Sequence, residues 1–153
     1  MPANKISGLK EDILKTAADL FLSLGFKSVT MDDIANKMGI SKKTIYAHFP
    51  TKSKLVEATT FFLLETIDNG IENIRKKNLN AIEELFEIKK FVLVHLKDER
   101  SSPQFQLSKY YPKVYQNVSR NHSNLMCCSI SANLIKGIEG GLYRKSVPVE
   151  FIS

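Results

Sequence analysis

Five lysines stand between residues 37 and 54, Lys37, Lys42, Lys43, Lys52 and Lys54, and no acid interrupts them. Clustered ammonium groups without carboxylates suit the neutralisation of phosphate, so the first chemistry this sequence offers is binding to a polyanion. An ordinary solvated face is the simpler use of such a run, and what surrounds it decides between the two. Other reactive side chains make weaker cases. His48 has no second His, Cys or carboxylate at ligand spacing, so neither a metal nor a cofactor is expected. Cys127 and Cys128 are adjacent, a spacing that closes a disulfide ring poorly, and Leu125, Met126 and Ile130 surround them. Buried small hydrophobes fit them better than redox sensors or nucleophiles. A cysteine hydrolase drawing on His95 or His122 would need a non-local constellation that nothing here announces. The expectation is a protein that is not an enzyme.

The elements around the lysines are helical. In 153 residues there are seven glycines and five prolines, and apolar residues recur at three- and four-residue spacing. The chain is read as all-α. A first helix spans about Gly8 to Leu24, with Leu9, Ile13, Leu14, Ala17, Leu20, Phe21 and Leu24 on one face and Gly25 as its C-cap. Thr30 caps a second, short helix that carries Asp32 and Asp33 in its first turn and ends at Gly39. Ser41 caps a third, Lys42 to His48. A long fourth helix runs from about Ser53 to Lys77, where Gly70 marks a bend or a close packing site. A fifth covers about Ala81 to Lys97. After a polar connection, Ser102-Pro103 and Pro112 begin two short helices, about Gln104–Lys109 and Pro112–Asn121. Ser123 opens a further helix that ends at Gly140-Gly141, and another starts near Val147.

Helices two and three together read as a helix-turn-helix. Ala35 allows a close crossing, Gly39 supplies a left-handed turn, and Ile40 plugs that turn into the core. Ile34, Ile45 and Phe49 face inward, which leaves Lys42, Lys43, Thr44, Tyr46 and His48 more available. Such a helix fits the major groove of B-form DNA, with its first residues nearest the base edges.

The series Thr30…Ile34-Ala35…Gly39-Ile40-Ser41…Thr44-Ile45-Tyr46…His48-Phe49…Lys52…Leu55, preceded by Ala17-Ala18-Asp19-Leu20-Phe21…Gly25-Phe26…Val29-Thr30, resembles the TetR (tetracycline-repressor-like) family of bacterial transcription regulators. The match covers about residues 10–57. The resemblance implies a helix-turn-helix DNA-binding domain at 1–52, joined by a long helix to a helical effector-binding and dimerisation domain at 53–153. It implies a cytoplasmic homodimer that reads a double-stranded operator, acts as a repressor and is released by a small-molecule effector. Position by position, it gives Thr30 a cap and phosphate contact and makes Lys42, Lys43 and Thr44, behind the Ser41 cap, the base readers. Tyr46, His48 and Lys52 become phosphate contacts.

The second half offers no motif. Phe62, Phe86, Phe91, His95, Tyr111 and Asn133 are the candidates for an effector pocket, with core packing as the competing reading for each. The family usually continues through two long helices beyond Val149, so the second domain is expected to lack its last helices. This leaves an alternative in which the chain is an interaction protein that pairs with a relative. The start, MPANKISGLKEDIL, holds no secretory signal, and no run of 18 apolar residues suggests a membrane span.

Overall fold

The computed structural model of the chain describes residues 3–96 and 102–149. Seven helices and no strand occur among them: α1 Ala3–Leu24, α2 Met31–Met38, α3 Lys42–His48, α4 Lys52–Arg75, α5 Ala81–Leu96, α6 Pro103–Tyr110 and α7 Pro112–Glu139. The all-α expectation holds. The chain forms two compact units, one of Met1–Leu64 with Glu99–Val118 and one of Glu65–Asp98 with Ser119–Ser153.

The first unit is built on apolar periodicity. Ile13, Ala17 and Phe21 of α1 bury the face that their spacing marks, against Ile34 and Ala35 of α2, Ile45 of α3 and Leu55 and Val56 of α4. Phe26 stacks on Phe21, with ring centroids 5.1 Å apart. Leu107 of α6 and Val114 and Val118 of α7 close the same core. This explains why the unit ends at Leu64 rather than at residue 52: the first turns of α4 carry core side chains, and α6 returns to cover them.

The second unit mixes its chemistry. Ile67, Ile71, Ile74 and Ala81 are buried, and so are Glu84 and Asn133. Gly70 is a close packing site, since the Phe91 ring lies where a Cβ would stand, 1.9 Å from its ideal position.

Two boundaries and one buried face differ from the sequence expectation. Helix α1 begins at Ala3, not Gly8. The segments 112–121 and 123–138, expected as two helices, are the single α7. Ser123 is a good cap in isolation, but no glycine or proline precedes it, so helical hydrogen bonding runs on through it. On α5, the expected apolar positions Ile82, Leu85, Phe86 and Leu93 are exposed, whereas Ala81 and Glu84 are buried. The expected end of that helix at Lys97 and of the last element at Ser153 lie outside the described residues.

Candidate nucleic-acid interface

Local chemistry fixes the two short helices. The Thr30 hydroxyl accepts from the Asp33 N–H at 3.1 Å, and the Asp33 carboxylate accepts from the Thr30 N–H at 2.8 Å and from its hydroxyl at 2.7 Å. This reciprocal capping box satisfies two of the free donors at the start of α2. The bonds from Thr30 hold the Asp33 carboxyl below the usual carboxylate range. At the other end Gly39 takes φ 65°, in the left-handed region, so the chain reverses there without a Cβ clash. Ile40 follows and packs against the core. Ser41 Oγ then accepts from the Thr44 N–H at 3.1 Å and starts α3.

Helix α3 is pinned from one side. Ile45 is fully buried and Phe49, just past its end, nearly so. Ser41, Lys42, Lys43 and Tyr46 are exposed, and Thr44 and His48 are half-buried. These side chains, with the Thr30 cap one helix earlier, occupy one continuous motif, as the sequence suggests. Ser41 Oγ and Thr44 Oγ1 are also paired at 2.8 Å. A hydroxyl keeps spare capacity for a further partner in that arrangement.

The lysines divide. Lys42 Nζ meets Asp32 Oδ2 at 2.7 Å, and that hydrogen bond raises its pKa. Lys54 pairs with Glu57 at 2.8 Å. Lys52 donates to the Lys27 carbonyl at 3.0 Å and is half-buried, and burial pushes its ammonium down, partly offset by Asp33. Lys37 and Lys43 make no ion pair or hydrogen bond among the described residues. The cluster is therefore less basic than its count suggests, and Lys43 is its most available member on α3. Sequence reasoning missed the role of Asp32, noted only as a helix-dipole acid. It also missed Lys10, whose ammonium lies 5.7 Å from the Phe49 ring centroid and adds charge to the same motif.

The candidate effector residues fall in both units. Phe62 and Tyr111 belong to the first unit, the other four to the second. Tyr111 packs on the first core, with its hydroxyl 3.5 Å from the Phe26 carbonyl, and burial raises its pKa. Asn133 donates to the Ala81 carbonyl at 3.0 Å and to Glu84 at 2.9 Å, and accepts from the Tyr143 hydroxyl at 3.1 Å. Those bonds give it a full structural task. Phe86 is 66% exposed. Phe91 and His95 meet, with rings 4.1 Å apart and the His95 Nδ1 2.9 Å from the Phe91 carbonyl. Cys127 is half-buried and Cys128 exposed, rather than both buried, and both are free thiols. Among the described residues no three His, Cys, Asp or Glu side chains could hold a metal ion, and no helix is long and apolar enough to cross a membrane.

A capped, basic helix-turn-helix within an otherwise all-helical chain is the architecture of a helix-turn-helix regulator. Residues 13–59 match the family described as bacterial regulatory proteins, tetR family. An HTH-type transcriptional regulator of Bacillus subtilis, YerO, itself uncharacterized, is 30% identical over 133 residues, covering 78% of this chain and 46% of the relative. The IcaR protein of Staphylococcus aureus, a negative transcriptional regulator of a biofilm operon, is 29% identical over 79 residues, 52% of this chain and 42% of that one. A TetR transcriptional regulator from Legionella pneumophila superposes with a TM-score of 0.73 at 20% identity, covering 93% of this chain and 77% of that structure. Residues 13–59 thus form a DNA-binding domain of the TetR family of bacterial regulatory proteins, and YerO and IcaR, matched over more of the chain, are transcriptional regulators of the helix-turn-helix type. It spans about half the length of the curated relatives it matches.

Proposed function

We propose that the chain is a sequence-specific double-stranded DNA-binding transcription regulator that reads its operator through α3. One observation carries this reading: Lys42, Lys43 and Tyr46 face solvent on a helix whose opposite side is locked by Ile45 and Phe49. Lys42, Lys43 and Thr44, behind Ser41, would meet base edges, and Thr30, Tyr46, His48 and Lys52 would meet phosphates. For Lys52 this requires exchange of the Lys27 carbonyl for a phosphate oxygen. A gel shift against the chain's own upstream region, over a salt series, tests the reading. Lys43→Ala should weaken that complex by about 1–3 kcal/mol if the lysine reads a base, with helix content unchanged by circular dichroism. Unchanged affinity would reject α3 as the reading helix.

The finer reading is a homodimeric repressor released by a small molecule that prefers the non-binding state. The negative regulator IcaR among the relatives supports repression. In the second unit Phe91 and His95 are the pair best placed to meet an effector, because both side chains are half-buried and their rings lie 4.1 Å apart. A second reading, an interaction protein, is favoured by the apolar side chains that α5 exposes, Phe86 and Val94 foremost. Light scattering of the purified chain with and without DNA separates the two.

A further inference from the structure

We infer that Gln106 is a positioning residue for DNA reading, the side chain through which α6 fixes the turn that feeds the helix-turn-helix; the inference rests on the DNA-reading proposal above. The turn between α1 and α2 is Gly25-Phe26-Lys27-Ser28-Val29. Its backbone groups are held from outside by three side chains distant in sequence. Gln106 Oε1 accepts from the Phe26 N–H at 2.8 Å. The Tyr111 hydroxyl donates to the Phe26 carbonyl at 3.5 Å. Lys52 Nζ donates to the Lys27 carbonyl at 3.0 Å, and the Lys27 ammonium itself lies 4.9 Å from the Tyr110 ring centroid. The seat is shaped for Gln106. Gly25 has φ 92°, and a Cβ on it would stand 2.8 Å from Gln106 Oε1.

Phe26 links this clamp to the reading helix. Its ring is buried beside Phe21 in the core that also contains Ile34 and Ile45. The backbone of one residue is therefore held by α6 while its side chain sets the floor under α2 and α3. The two kinds of contact differ in kind. The apolar core holds the head together whether or not α6 is engaged. The polar clamp exchanges readily with water, because a hydrogen bond to solvent nearly replaces one within the protein. The clamp therefore decides the seating of the turn, and the core decides whether the head is folded.

The test uses the full chain with Gln106→Leu, Gln106→Glu and Tyr111→Phe. Each is measured by fluorescence anisotropy on a duplex of the chain's own upstream region and on an unrelated duplex of equal length, over a salt series. Exchange of the Phe26 amide is followed in parallel. Gln106→Leu should weaken the upstream duplex by about tenfold, the upper end for one orienting hydrogen bond. Binding to the unrelated duplex and the salt slope should stay put, because no phosphate contact is lost. Gln106→Glu keeps an acceptor and should bind like the parent, and Tyr111→Phe should fall between. Phe26 exchange should accelerate only where the acceptor is gone. The inference is overturned if Gln106→Leu binds the upstream duplex like the parent. It is equally overturned if affinity for both duplexes falls in step with thermal stability, which marks a merely structural bond. A parent that does not prefer its upstream duplex defeats the DNA-reading proposal itself, and Phe26 exchange still reports the clamp separately.

Discussion

Two lysine–carboxylate pairs of nearly equal length sit in different settings. Lys42 meets Asp32 at 2.7 Å beside the reading helix, with side chains 46% and 59% exposed. Lys136 meets Glu84 at 2.6 Å in the second unit, where the carboxylate side is 3% exposed and the lysine 39%. Water competes for both members of the first pair and for only one member of the second. The first pair therefore adjusts surface charge, and the second is part of an interior. The units around them differ in the same way. Among the described residues, the first unit buries an apolar core with two threonines and no charge, whereas the second buries Glu84 and Asn133 and leaves much of the apolar side of α5 in solvent.

Phe21 offers the largest way to break this contrast. It is nearly fully buried and stacked on Phe26, so Phe21→Ala should cost about 3–5 kcal/mol in the first unit, the usual range for removing a core aromatic. Urea unfolding followed by circular dichroism should show an early transition, with DNA binding lost in that transition. A single transition shifted as a whole would show that the two units unfold together.

Lys136→Met comes next and addresses the second unit. It strands the Glu84 carboxylate with Asn133 alone. The cost should be about 2 kcal/mol at pH 7, below the range for a fully buried pair because Lys136 is partly solvated. Burial pushes the Glu84 carboxyl up, but the bonds from Lys136 and Asn133 outweigh it and hold it below its ordinary value. A depressed carboxyl contributes stability that is complete above its unfolded pKa of about 4.3 and is lost as pH falls through the folded value. The gap between parent and Lys136→Met should therefore be full at pH 7 and shrink below about pH 4. A gap that does not change with pH would mean that the pair contributes packing rather than charge.

The same contrast explains what the sequence could disclose. Helices α2 and α3 were legible residue by residue because their limits are set within three or four positions: Thr30 with Asp33, Gly39 at its left-handed turn, Ser41 with Thr44. The apolar face of α1 was legible because its spacing is regular, except at its last residue, Leu24, which is 61% exposed. Ser123 misled because a local cap preference is weaker than uninterrupted helical bonding. The burial of Glu84 was hidden because a glutamate on a helix normally faces water, and Asn133 and Lys136, some fifty residues on, make that burial tolerable. Gln106 on Phe26 and Asp32 on Lys42 are likewise pairings between separate helices or turns, which no local pattern announces. The helix-turn-helix that carries the candidate DNA contacts was readable for the first reason, and the bonds that occupy Asn133 were hidden for the second.

Asp32 carries the smallest expected change in stability and the sharpest check on the exposed pair. Asp32→Asn should leave stability nearly unchanged, since an exposed ion pair contributes little. Its effect on DNA should run the other way from any loss. Asp32 neutralises Lys42 on the face where α3 would approach phosphate, and Asp33 is already occupied by Thr30. Removing that carboxylate frees one cation and removes one repulsive charge. Binding to an unrelated duplex at low salt should tighten by about tenfold, and the slope of log affinity against log salt should steepen by about one. Preference for the upstream duplex should fall, because the added attraction is blind to sequence. If the slope is unchanged, the freed Lys42 adds no phosphate contact, and its part in binding is confined to the base edges.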